Sequence, residues 1–312
     1  MNNQTVAKTF TNRAKSRFLQ MKLLKAMAAE PGELSAKYNE SLFCSGTIKK
    51  EGNKYTSRYC GHRWCIICNR IRTAKLIKGY SEQIQQFSEP TILTLTVPNV
   101  KAEDLKRTIA MMQRNIKNIF ECRRKAKAPK QPGIRKLECT YNAVKNSYHP
   151  HYHIIINSEA AANDILTSWL LRYPKAARAA QDIRTCYDAK EIFKYFTKLT
   201  SKTGVTDESG KKESAFYPEA LNVIFLAIQK IRIIQPFGGL RIISDEIDDL
   251  ESEILEGGES LQDTDVFTWN ETNWFSIKTG ERLVNWEPSK LRVIYSENIK
   301  YLEYFKCNYR SD

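Results

Sequence analysis

His149-Pro150-His151-Tyr152-His153-Ile154-Ile155-Ile156 holds three of the chain's four histidines within five residues. The run ends in β-branched residues, and side chains of a strand alternate between its two faces. Extended, it points His149, His151 and His153 the same way. Neutral imidazoles gathered on one face are good ligands for a divalent cation. A histidine-rich surface strand is the plainer alternative, but such clustering of a scarce residue type favours a metal site.

The flanking segments read as a sheet. Residues 134–141 form a second strand, 142–148 a polar turn, and the histidine strand closes a hairpin. Glu138 lies on the first strand, near the histidines if the pair closes. It is either a third ligand or a carboxylate facing solvent. Residues 91–97 alternate threonine with aliphatics and stop at Pro98-Asn99, which reads as another strand. Shorter strands are expected at 183–187 and 230–234, the latter turning at Pro236-Phe-Gly-Gly239. The polar segment 201–212 reads as a loop.

Helices are expected at 8–29, 71–87, 103–120, 163–173, 189–200 and 216–227. In the third, Leu105, Ile109, Met112, Ile116 and Ile119 form one stripe, followed by a basic linker from Arg123 to Lys130. In the helix at 189–200, the 100° step groups Glu191, Lys194, Tyr195 and Lys198 on one side and Ile192, Phe193, Phe196 and Leu199 on the other. By itself this is an ordinary amphipathic helix with a solvated Lys/Glu face.

The chain has 312 residues and a formal charge of +14, an excess that suggests a polyanionic partner such as nucleic acid. Residues 245–265 run against this balance, with ten acidic residues and no Lys or Arg, and read as a solvated linker rather than a mimic of DNA charge that limits binding. Residues 1–29 are basic and acid-free, which fits an organellar transit peptide or a DNA-contacting helix. No apolar run approaches the roughly 20 residues a membrane helix needs. No secretory signal is evident, so a cytoplasmic, reducing setting is expected and cysteines are read as ligands rather than disulfides. Cys44, Cys60, Cys65 and Cys68 offer four thiolates, the last two at the knuckle spacing of structural zinc, with His62 a possible substitute for one of them.

Three motifs in order carry a resemblance: Thr94-Leu-Thr-Val-Pro-Asn99, Tyr148-His-Pro-His-Tyr-His-Ile-Ile-Ile156 and Glu191-Ile-Phe-Lys-Tyr195-Phe-Thr-Lys198. Together they resemble the motifs of rolling-circle plasmid replication initiators, in the single-tyrosine branch of the HUH endonuclease superfamily. The cysteine cluster is similar to the cysteine-rich N-terminal region of that branch. The likeness covers roughly residues 44–245 and does not reach 266–312.

The resemblance implies an α+β fold. A central antiparallel five-stranded sheet has helices packed on one side, with an N-terminal helical and zinc-binding module and a small C-terminal β-rich extension. The divisions expected are 1–89, 90–245 and 246–312. It further implies that His151 and His153 hold manganese or magnesium, with Glu138 as third ligand and His149 a further candidate. Tyr195 is then the nucleophile, Glu191 the carboxylate that activates water in the terminating step, and Lys194 and Lys198 the flanking cations. The implied partners are a plasmid double-strand origin, an unpaired nick site, and host helicase and polymerase. A transposase or relaxase of the same superfamily, or a zinc-containing DNA-binding regulator without catalysis, are the alternatives.

Overall fold

The computed structural model describes residues 3–29, 31–52, 54–188, 190–193, 200–206, 212–244, 250–254 and 264–288. Helices α1 (Asn3–Ala29) and α2 (Ser35–Leu42) precede strands β1 (Thr47–Glu51) and β2 (Lys54–Arg58). Then come α3 (Ile66–Ile84), β3 (Thr91–Thr96), α4 (Ala102–Lys125), β4 (Gly133–Asn142) and β5 (Ser147–Ile156). They are followed by α5 (Glu159–Arg172), β6 (Asp182–Thr185), α6 (Lys190–Phe193), β7 (Thr200–Thr206) and β8 (Lys212–Phe216). The last are α7 (Pro218–Ala227), β9 (Ile234–Phe237), β10 (Leu250–Ile254), β11 (Thr264–Asn270) and β12 (Asn273–Ser276). Two compact units result. One comprises Met1–Arg72, Phe216–Glu219 and Glu246–Asp312, the other Thr73–Ala215 and Ala220–Asp245.

The second unit is built on an antiparallel sheet of strand order β6-β3-β5-β4-β9. This is the α+β, five-stranded antiparallel arrangement that the resemblance implies. Ile154 and Ile156 of β5 share one face with Tyr152, and cross-strand pairing puts Arg135 and Leu137 of β4 there too. Helices α4 and α5 cover that face. The Arg135 guanidinium lies over the ring of Phe120 from α4, 5.5 Å from its centroid. Trp169 of α5, wholly buried, meets the Tyr152 ring edge-on at 6.1 Å. Its indole N–H donates to the Thr96 carbonyl at 2.9 Å. The stripe Leu105, Ile109, Met112, Ile116 and Ile119 is the buried side of α4, as its spacing requires.

Several boundaries differ from the sequence reading. α4 continues to Lys125, so Arg123, Arg124 and Lys125 form a helical last turn rather than a linker. Cations there complement the negative end of the helix dipole. α5 begins at Glu159, because the Ser158 hydroxyl accepts the Ala161 N–H at 3.1 Å and caps it four residues before the expected start. Segments expected as loop pair instead as β7 and β8. The last strand of the sheet is Ile234–Phe237, where a turn was expected, and it pairs with β4 from Gly133 to Lys136.

In the first unit the sheet order is β10-β2-β1-β11-β12. β10 falls within the expected acidic linker and pairs with β2. β11 pairs with β1 along its whole length, so the C-terminal strands complete a sheet begun near residue 47. Phe10 and Ala14 of α1 pack with Ile48, Phe267, Trp274 and Val284. The basic residues Arg13 and Arg17 are buried, which places α1 in a core rather than in solvent. Among the described residues no helix is long and apolar enough to cross a membrane.

Replacing a wholly buried tryptophan by alanine removes packing and leaves a cavity, at a cost of about 3–5 kcal/mol. Trp169→Ala is expected to lower stability by that amount in urea unfolding, and a loss below about 1 kcal/mol would contradict the packing described for α5.

Candidate metal centre

The β4–β5 register sets Glu138 opposite His151 and Lys136 opposite His153. By alternation these four side chains share the sheet face turned away from α4 and α5. Glu138 Oε1 lies 3.9 Å from His151 Nε2, and Glu138 Oε2 lies 3.9 Å from His153 Nε2. The three donor atoms are within 4.8 Å of one another. An octahedral ion with bonds of about 2.1 Å sets neighbouring donors about 3.0 Å apart, so small side-chain rotations close the set on a cation. Glu138 and His151 are buried, while the His153 side chain is 32 % exposed and forms the open side.

Each donor is oriented from behind. His151 Nδ1 is 3.0 Å from the carbonyl of His149, an acceptor, so Nδ1 carries the proton and Nε2 keeps its lone pair. His153 Nδ1 meets the Thr94 hydroxyl at 3.2 Å, which turns its Nε2 toward Glu138 in the same way. The Lys136 ammonium donates to Glu138 Oε2 at 2.9 Å. Burial alone would raise the Glu138 carboxyl, but Lys136 and His151 more than offset it and hold the group below the ordinary carboxylate range. The carboxyl is therefore ionised at neutral pH and ready to bind a cation.

His149 stacks on His151 with ring centroids 5.0 Å apart, yet it is not part of the three-residue donor group. Burial, and then the neighbouring His151 ring, which would repel a second positive charge, lower its pKa below the ordinary imidazole value, so it is neutral at pH 7. Tyr195, Lys194 and Lys198 lie outside the described residues, as does the side chain of Glu191. Of the helix expected at 189–200, the described part is α6 (Lys190–Phe193), which lies against β5, and Thr200 opens β7 instead. Ile192 and Phe193 are buried as expected, and Phe193 stacks on Tyr80 of α3 at 5.9 Å and 5°.

The second donor group is Cys44, Cys60, Cys65 and Cys68. Cys44 Sγ is 3.5 Å from both Cys65 Sγ and Cys68 Sγ, and Cys60 Sγ is 3.8 Å from Cys68 Sγ. Tetrahedral bonds of about 2.3 Å put sulfurs about 3.8 Å apart, so this set fits a four-thiolate centre. Cys60 is held low by hydrogen bonds from Cys44, Cys65 and Cys68. Hydrogen bonding with Cys60 drives Cys44 up, and burial does the same for Cys65. His62 is not part of this donor group. It hydrogen-bonds Glu40 at 3.0 Å and stacks on Trp64. Arg17 of α1 donates to the carbonyls of Cys44 and Leu42, and the Gln20 carbonyl accepts from Cys65 Sγ and Ile67 N.

Thr94, Lys136, Arg17 and Gln20 carry no role in the sequence reading. For Lys136 a signal existed, since position i−2 of a strand shares the face of Glu138. Arg17 and Gln20 act across 21 or more residues, and no local pattern marks them.

Comparison with known proteins adds an independent line. Residues 52–161 match a family described as replication protein. The chain is 29% identical over 121 residues to Protein rep of Staphylococcus aureus, covering 37% of this chain and 52% of that one. It is 32% identical over 114 residues to Protein rep of Streptococcus pneumoniae serotype 2 strain D39, covering 33% of each. A Bacillus amyloliquefaciens Protein rep is 32% identical over 107 residues, 33% of this chain and 31% of that protein. The chain thus spans about half of the first relative and a third of the others. No solved structure matches. The resemblance to plasmid replication initiators read from the motifs is borne out by these relatives.

Two outcomes follow from the geometry. Thr94→Val leaves His153 Nδ1 without its acceptor, and loss of such an outer contact costs about 10–100-fold in metal affinity. Calorimetric titration with Mn2+ reads this directly; unchanged affinity would remove Thr94 from the site. Metal removal should unfold the cysteine module, because the four thiols form a core with few apolar partners. Dialysis against a chelator is expected to lower the melting temperature and to release about one equivalent of Zn2+, and an unshifted melting curve would contradict a structural metal.

Proposed function

We propose, from the premise that residues 52–161 belong with replication proteins, that the chain initiates rolling-circle replication of a plasmid by nicking one DNA strand at its origin. The observation that carries this is the convergence of Glu138, His151 and His153 on one sheet face, with α6, which ends two residues before Tyr195, against the histidine strand. A manganese or magnesium ion held there supplies Lewis-acid neutralisation of the non-bridging phosphate oxygens.

Tyr195 is the nucleophile. Its phenolic oxygen attacks the scissile phosphorus and bonds to it as the P–O bond to the 3′ oxygen breaks. The products are a 5′-phosphotyrosine and a free 3′-hydroxyl that primes synthesis. A phenol has a pKa near 10, so Lys194 and Lys198, one residue before and three residues after Tyr195, serve to favour the phenolate. Glu191, four residues before Tyr195, activates water in the terminating step. The covalent link conserves the phosphodiester energy for rejoining. Zinc on Cys44, Cys60, Cys65 and Cys68 orders the basic module that binds the origin duplex. Host helicase and polymerase act after the nick.

Tyr195→Phe is expected to abolish nicking of a single-stranded origin oligonucleotide and the covalent adduct seen by mass spectrometry, while duplex binding persists. Nicking undiminished in that variant would overturn the mechanism and leave a non-catalytic DNA-binding regulator.

A further inference from the structure

Lys136 is the unusual residue of the sheet. Its side chain is 1% exposed, its ammonium is 2.9 Å from Glu138 Oε2, and the Glu138 side chain is 6% exposed. Desolvating two charges is expensive, and a buried ion pair is often no more stabilising than apolar residues of the same volume. The neighbouring inward positions Ile134 and Ile155 are wholly buried aliphatics, so this face does not need a charge for packing. Lys136 also sits directly across the strand pair from His153, and Glu138 across from His151. The ammonium is thus built into the donor set.

We propose that Lys136 is a positioning residue that tunes this site, fixing one oxygen of Glu138 and weakening the site's hold on a divalent cation. The inference rests on the metal reading of Glu138, His151 and His153 given above. Two physical effects act together. The hydrogen bond occupies a lone pair of Oε2, so Glu138 offers a cation chiefly Oε1, which faces His151 Nε2 at 3.9 Å. The ammonium also cancels the carboxylate charge. Without a cation the site is neutral, and with a divalent ion its net charge is two positive units rather than one. The ion is repelled more and held less tightly, while the field it presents to a phosphate is stronger. A site of this kind binds and releases its ion readily and folds without it.

The test is Mn2+ affinity, read from the free-ion electron paramagnetic resonance signal, for the full chain and for Lys136→Met, a neutral side chain of similar length. Lys136→Gln, which keeps a donor for Oε2 while removing the charge, is the second variant, and thermal melting followed by circular dichroism checks that each folds. Either folded variant is expected to bind Mn2+ at least about tenfold more tightly than the parent chain, since a close like charge has been removed. At saturating Mn2+ it should cleave a single-stranded origin oligonucleotide more slowly. A merely structural lysine would leave affinity unchanged or weaken it. Binding that depends on His151 but is unchanged or weaker in the folded variants overturns the role of Lys136 alone. Mn2+ binding that is absent, or indifferent to His151→Ala, overturns the metal reading and this role with it.

Discussion

The pairing of β4 with β5 is the constraint on which the second unit depends. One face of the pair is apolar and is fixed by packing, with Tyr152 against Trp169 and Arg135 over Phe120. The other face carries Lys136, Glu138, His151 and His153. Because side chains alternate strictly, a slip of one residue would send Tyr152 to the polar side and the histidines into the helices. The hydrophobic layer therefore sets the register, and the register sets the donor geometry. The oxygen-to-nitrogen distances of 3.9 Å are a consequence of how tryptophan and tyrosine pack on the far side of the sheet.

Much of this was legible in the sequence, for reasons that can be stated residue by residue. The strands at 91–97, 134–141 and 149–156 alternate cleanly and lie at the centre of the sheet, where both faces are constrained. The stripe on α4 and the cysteine spacing are equally local signals. The edge was harder. β9 contains Pro236, which reads as a turn but is tolerated on an edge strand where one N–H is not needed. The turn lies just after it, at Gly238, whose φ of 69° and close approach to the Gln131 carbonyl leave no room for a side chain. β7 and β8 carry polar side chains without an apolar alternation, so nothing distinguished them from a loop. Alternation puts Lys136 on the face of Glu138, but only its neighbours across the strands show that it is buried.

The two donor groups follow opposite electrostatic designs. Glu138 has a resident counter-charge in Lys136, so its face of the sheet is satisfied whether or not an ion arrives. The cysteine group has no such arrangement among its sulfurs. Its thiols crowd to 3.5–3.8 Å, with one pulled toward ionisation and two driven away from it. A divalent ion resolves that conflict by accepting all four as thiolates. The surrounding chain is arranged to hold the loop in place. Arg17 grips the carbonyls of Cys44 and Leu42, and the indole of Trp274 donates to the carbonyl of Ser45 at 2.9 Å.

The insertion of β11 beside β1 has a temporal meaning for a chain made from its N-terminus. Until residues 264–270 leave the ribosome, the strand at 47–51 presents a bare row of amides and carbonyls. More than two hundred residues, including the whole second unit's sheet, are synthesised while that row waits. Closure over so long a loop is slow, and a nascent chain stalled or clipped in this interval would offer an open template for aggregation. Loss of β11 and β12 would therefore be felt first beside the cysteine loop, where the Trp274 indole holds the Ser45 carbonyl.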